Sequence, residues 1–214
     1  MKARPILMST PMVRALLDGG KTQTRRIIKP APGAEGSEIC LVRSTVSDEQ
    51  QIVWRGELRC PYGNTGDLLW VREAGWISNN GTQAMGFIPS AGNTPSPSGY
   101  KSPNGTPYKR CVSIHMPRWA NRITLEIISV RAERLQEIEY ADVIEEGTQQ
   151  DPDKPWMDIA APAEYRRREA VEAYKTLWES INGAGSWDSN PWVWVISFKP
   201  HQLNVDEFLE QHAA

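Results

Sequence analysis

At 214 residues, with 23% charged and 40% apolar side chains, the chain has the composition of an ordinary soluble globular protein that buries a core without staples. A net charge of −2 argues against a protein gripping long duplex nucleic acid through many phosphates, and leaves a small ligand or a short single-stranded piece held at one spot. Three scattered cysteines, Cys40, Cys60 and Cys111, support neither a disulfide framework nor a zinc site, so no metal, no cofactor and a reducing cytoplasm are expected.

Met-Lys-Ala-Arg-Pro lacks an apolar signal segment, and no run reaches the roughly 18 apolar residues of a membrane span, so no membrane partner is expected. Residues 5–8 read as a short strand. Ser9-Thr10-Pro11 opens a helix with Thr10 as N-cap, and Met12, Val13, Leu16 and Leu17 form its apolar stripe before Gly19-Gly20 end it. Segments 38–44 and 51–58 have β character and suit a hairpin. Asp67–Glu73 reads as a buried strand. From 78 to 107, Gly, Pro, Ser, Asn and Thr predict a long loop insertion, expected to be the most mobile region. Ile123–Val130 predicts a strand whose apolar phase slips between Ile127 and Ile128, as at a bulge or with burial on both faces. Residues 138–146 look helical, and 163–181 is the best helical pattern. Trp192–Phe198 reads as a central strand buried on both faces, with Trp192 and Trp194 expected on opposite sides. Residues 201–214 predict a short peripheral helix.

Many strands and few helices predict an α+β chain, a mixed β-barrel with flanking helices, in one domain over 1–200. The strands near 68–72, 123–130 and 192–198 are expected to be neighbours. No glycine-rich phosphate fingerprint follows a strand, which excludes Rossmann and P-loop readings.

Four constellations could carry chemistry. Gly20–Arg26 holds Lys21, Arg25 and Arg26 with the hydroxyls of Thr22 and Thr24. A solvated polar turn has this composition too. A threonine hydroxyl needs a base, and a lysine serves only if neutral, which requires burial or neighbouring cations. In Ile138–Gly147, Glu146 stands out from a solvated acidic face because Gly147 ends the helix beside it. A carboxylate there faces the wrong end of the helix dipole and needs a cation, which the Lys21–Arg26 turn offers. The third run, Tyr108-Lys109-Arg110 with His115–Arg122, mixes cations with Trp119. It suits a stacked base with a held phosphate as well as it suits a capped core. The fourth pairs Trp70–Glu73 with Trp192–Trp194; the rings read as core, and Arg72 or Glu73 as a structural ion pair or cleft residue.

With those residues quoted, the chain resembles the ASCH family of the PUA-like superfamily, in particular longer members from phages and prophages, some labelled morphogenetic. The resemblance rests on Pro5–Leu7, Pro11–Val13, Gly20–Arg26, Gly66–Glu73, Ser113–Trp119, Glu145–Gly147 and Asn190–Val195, in order along almost the whole chain. It implies a PUA-like barrel with a helix-lined cleft. Small members deacylate N(4)-acetylcytidine with a lysine, a threonine and a glutamate, which match Lys21, Thr24 and Glu146 here. Their motif also covers Thr22 and Arg26.

The leading expectation is an amidohydrolase acting on an acylated cytidine or related nucleoside. Thr22, Arg25, Arg26, Arg72, Glu73, Lys109, His115, Arg118 and Trp119 are the candidate binding residues. A single-stranded RNA-binding or RNA-cleaving module, resting on Lys109, Arg118 and Trp119, is the alternative. A non-catalytic phage assembly factor is the third.

Overall fold

The computed structural model describes residues 1–29, 59–78, 86–92, 101, 105–148 and 161–213, and the backbone of 39–43 and 50–54. The chain is mixed α+β. Its elements run β1 (Ala3–Leu7), α1 (Thr10–Leu17), β2 (Gln23–Ile27), β3 (Ile39–Arg43), β4 (Gln50–Trp54), β5 (Leu68–Arg72), β6 (Gly75–Ser78), β7 (Gly86–Pro89) and β8 (Lys109–Cys111). They continue through β9 (Thr124–Arg134), α2 (Tyr140–Glu145), α3 (Ala163–Asn182), β10 (Trp192–His201) and α4 (Val205–Gln211). Two compact units emerge: Met1–Thr22 with Tyr62–Ile128 and Phe198–Ala214, and Gln23–Pro61 with Ser129–Ser197. In sequence, β9 and β10 each run from one unit into the other.

In the first unit, β1 pairs parallel with β5 from Ala3↔Leu68 to Leu7↔Arg72, and β5 pairs antiparallel with β9 from Leu68↔Glu126 to Trp70↔Thr124. β9 then neighbours β10, as expected from the apolar runs. The helix α1 begins one residue earlier than its expected cap: Thr10 is already helical and Ser9, with extended backbone, holds the N-cap position without a side-chain bond. Pro11 sits in the first turn, where a missing N–H costs nothing. Met12, Val13, Ala15 and Leu16 are buried, and Gly19 ends the helix at φ +75°.

The residues after Pro200 are anchored rather than merely peripheral. Val205 and Phe208 of α4 pack with Leu68 and Trp70. The 78–107 stretch is likewise not all loop. Gly86–Pro89 forms β7 of a three-stranded sheet ordered β7-β6-β8, while 79–85, 93–100 and 102–104 lie outside the described residues, and with them the expected mobility. A Cβ on Gly75 would stand 2.5 Å from the Ile88 carbonyl oxygen, so the β6–β7 approach requires glycine there.

In the second unit, β2 pairs antiparallel with β10 from Ile27↔Val193 to Gln23↔Ser197, and β3 with β4 from Ile39↔Trp54 to Arg43↔Gln50, the expected hairpin. The core gathers Leu135, Ile138, Val143, Ala170, Tyr174, Trp178, Trp187, Val193 and Val195. Val193 and Val195 belong to this cluster and Trp192 and Trp194 do not. Residues two apart share a strand face, so the two tryptophans lie on the same side, not on opposite sides.

In β9, Leu125 and Ile127 are buried while Ile128 is 52% exposed. Thr124 and Leu125 are both buried and Ile128 and Ser129 both exposed, so burial does not alternate strictly along β9. Among the described residues no pairing closes a barrel. β3 pairs with β4, and β6, β7 and β8 form their own sheet.

Candidate functional site

Lys21 follows Gly19-Gly20, just beyond the α1 terminus. Its N–H donates to the Ala15 carbonyl at 3.1 Å, and the residue is 1% exposed. Thr22 is half-buried, and its carbonyl accepts from Phe198 N–H at 2.8 Å. Both belong to the first unit.

The rest of the motif forms β2 in the second unit. Register opposite β10 sets which way each side chain turns. Ile27 opposes Val193 and Arg25 opposes Val195, and both valines face the α2–α3 core. Gln23, Arg25 and Ile27 therefore share that face, while Thr24 and Arg26, opposite Ile196 and Trp194, take the other.

The Arg25 side chain is wholly buried, and its guanidinium is held by carboxylates. It meets Glu133 Oε1 at 2.6 Å, Asp142 Oδ2 at 3.0 Å and Glu146 Oε1 at 3.5 Å, and donates to Gln23 Oε1 at 2.5 Å. Burial alone would lower its pKa. The field of Glu146, with Tyr174 and Glu133, outweighs this and raises it. Its Nε is buried without a partner.

Three neighbours extend the cluster. Tyr174 Oη donates to Glu146 Oε1 at 3.3 Å, and burial, then Glu146, push its phenol well above the ordinary value. Asp142 is also bonded by Arg131 at 3.1 Å. Burial would raise its carboxyl, but the Glu139 N–H, Arg25, Gln23 and Arg131 together lower it. Gln23 Nε2 donates to Glu145 Oε2 at 2.9 Å. The helix α2 presents these carboxylates because a Glu139–Asp142 capping box starts it and Gly147, at φ +71°, ends it beside Glu146. The cation that Glu146 requires comes from the Lys21–Arg26 turn, and it is Arg25.

The structure thus brings Arg25 and Glu146 together and sets Thr24 on the opposite face of β2. Glu133, Asp142 and Tyr174 were not picked out by the sequence reading. Asp142 lay in the acidic run around Glu146, Tyr174 read as an apolar helix position, and nothing in the sequence marks the neighbourhood of Glu133. Tyrosine hydroxyls seek a partner when buried, which is the one signal Tyr174 offered.

The remaining candidates belong to the first unit and are mostly engaged there. Glu73, 1% exposed, takes both arms of Arg122 at 2.7 and 3.1 Å, and its N–H points at Met116 Sδ at 3.1 Å. Arg72 lies 5.4 Å from the Trp70 ring centroid and donates to the Ile114 carbonyl. Arg118 forks onto Asp206, with Nη2 2.6 Å from Oδ1, and Trp119 packs against Cys111, Met116 and Ala120. Lys109 and His115 are exposed.

Among the described residues no group of His, Cys, Asp and Glu has metal-holding geometry, and no helix is long and apolar enough to cross a membrane. No family model, curated protein or solved structure matches the chain. Chemically, the Arg25 cluster fixes a cation and its counter-ions in place. The Thr24 hydroxyl and Arg26 lie on the other face of β2.

Proposed function

We propose that the chain is a PUA-like protein of the ASCH type that deacylates an N(4)-acylated cytidine or a related modified nucleoside. One observation carries this reading: the polar motif is buried. Lys21 is 1% exposed, Thr24 4%, Arg25 4% and Glu146 4%. A solvated turn would leave such side chains in water, because lysine, arginine and glutamate are almost never fully buried unless they are paired or used. Burial is also the condition under which a lysine amine approaches neutrality and becomes a base.

In the proposed reaction, neutral Lys21 takes the proton of Thr24, and Thr24 Oγ1 bonds to the acyl carbon. The C–N bond to the exocyclic nitrogen breaks, and that nitrogen leaves with the proton. Water then cleaves the acyl-threonine ester, releasing the carboxylic acid. The two residues stand three apart in sequence. Arg26, on the Thr24 face of β2, serves the oxyanion or the ribose. Glu146 meets Arg25 on the face of β2 opposite Thr24, so its part in the reaction is positioning: it fixes β2 through Arg25 and is itself held by Tyr174.

Turnover of a small panel of acylated cytidines tests this. Lys21→Ala and Thr24→Ala each remove nearly all activity, since the pair acts as one unit. Glu146→Gln shifts the pH–rate profile if the carboxylate handles protons, and lowers stability with an unchanged profile if it only positions. Absence of hydrolysis across the panel by the unaltered chain would end the reading.

A further inference from the structure

The two outer strands of the small sheet β7-β6-β8 differ in what they offer a neighbour. Among the described residues β6 is paired on both sides, while β7 and β8 each have one partner strand. An edge strand presents backbone N–H and C=O groups to whatever lies beside it. β7 carries Pro89, which has no N–H to give, and no charged side chain. β8 carries Lys109 and Arg110, both exposed, before the buried Cys111. Register puts Lys109 beside Ile77 and Arg110 beside Trp76, so the two cations leave the strand on opposite faces and flank its outer edge. The extended backbone continues into Val112, at φ −75° and ψ 152°, before Ser113–His115 turns away.

The surface along that edge is apolar and positively charged at once. Val112 and Ile114 are exposed. No Asp or Glu occurs between Glu73 and Glu126, while Lys101, Lys109, Arg110, Arg118 and Arg122 all fall there. Arg118 and Arg122 are answered by Asp206 and Glu73. Lys109 and Arg110 have no carboxylate partner among the described residues; the Arg110 guanidinium lies 5.3 Å from the Trp76 ring centroid, which orients the charge without neutralising it. Cations on an edge strand also serve to keep like strands from pairing with it. That role does not account for two aliphatic side chains left in solvent beside them. The rings of this unit are covered: Trp70 and Trp76 each lie against an arginine, Trp119 packs with Cys111, Met116 and Ala120, and Tyr108 lies against Gly86. Exposed aliphatics beside covered rings suit a polypeptide better than stacked bases.

We infer that the outer edge of β8 docks an extended acidic segment of a partner protein. The segment adds to the sheet through its backbone, sets carboxylates against Lys109 and Arg110, and covers Val112 and Ile114 with aliphatic side chains. This surface belongs wholly to the first unit and is independent of the deacylation reading.

Fluorescence anisotropy of the full chain with a labelled peptide of alternating glutamate and valine, at two salt concentrations, tests it. Binding weakens as salt rises. Lys109→Glu and Arg110→Glu, both at exposed positions, lower affinity on the order of tenfold each, and Val112→Ser lowers it about fivefold. Circular dichroism checks the fold of each variant. Peptides with N-methyl groups on alternate residues give a readout that needs no variant: an added strand turns every second amide toward β8, so one methylated phase loses binding and the other keeps it. Absence of peptide binding, equal binding by the charge-reversed variants, or equal binding of the two methylated peptides overturns the inference. So does tighter binding of single-stranded RNA or of vesicles of anionic phospholipid, which would assign the surface to nucleic acid or to lipid.

Discussion

A guanidinium with no exposed side-chain surface keeps its charge only where anions replace its lost water, and Arg25 has Glu133, Asp142 and Glu146 in that role. Removing the cation strands those carboxylates in the interior. Arg25→Met is therefore expected to cost about 3–5 kcal/mol at neutral pH, read by denaturant titration. The pH dependence follows from Asp142, whose carboxyl is held below its ordinary value of 3.8. A depressed carboxyl contributes stability above that value and loses it as pH falls. The gap between Arg25→Met and the unaltered chain should then narrow below 3.8, where protonated carboxyls no longer need a cation. A gap that stays constant into acid would mean the guanidinium is held for packing alone. Motif and acidic run were both legible as sequence; which of Arg25 and Arg26 turned inward was not, because adjacent strand residues point oppositely and only pairing with β10 decides.

The helix α4 shows how one buried amide can dock an element. Asn121, 3% exposed, accepts from Val205 N–H at 2.8 Å and donates to the Ile123 carbonyl at 2.6 Å. Asn204 caps the helix through Asp206 N–H at 2.9 Å and donates to the Asn121 carbonyl at 2.8 Å. Asn121→Ala leaves buried backbone groups unsatisfied, a loss of about 1–3 kcal/mol. Hydrogen exchange should accelerate first in the amides of 205–211, because the lost bond is at the helix start. Uniform acceleration across the first unit would show instead that Asn121 supports β9. In sequence, residues 201–214 read only as a short peripheral helix, with no apolar face marked on it. What the helix covers, Leu68 and Trp70, lies more than a hundred residues earlier, beyond the reach of any local pattern.

Neither compact unit is a continuous piece of chain. The first needs Met1–Thr22, Tyr62–Ile128 and Phe198–Ala214 together. A fragment ending at Ile128 retains Leu68 and Trp70 but lacks Val205 and Phe208, which bury them. Such a fragment should therefore show poor amide dispersion and no cooperative melt, whereas the full chain melts cooperatively. A well-dispersed, cooperatively melting 1–128 fragment would show that α4 and the end of β10 are dispensable to that core.

Local chemistry, carried in neighbouring residues, determined much of this protein. The prolines and glycines around α1, the β character of 38–44 and 51–58, the helical period of 163–181 and the apolar runs of β5, β9 and β10 were all readable in order. So was the need of Glu146 for a cation from the Lys21–Arg26 turn. Tertiary structure decided the rest, because the deciding contacts are remote in sequence. Strand register chose Arg25 for the interior and put Thr24 on the other face. Among the described residues β3 pairs with β4, and β6 with β7 and β8, and no pairing closes the barrel that strand content suggested. The polar loop composition around Gly86 concealed a strand, since a backbone that pairs on both sides of β6 needs only glycine's small size and a neighbour to bond, neither of which composition records.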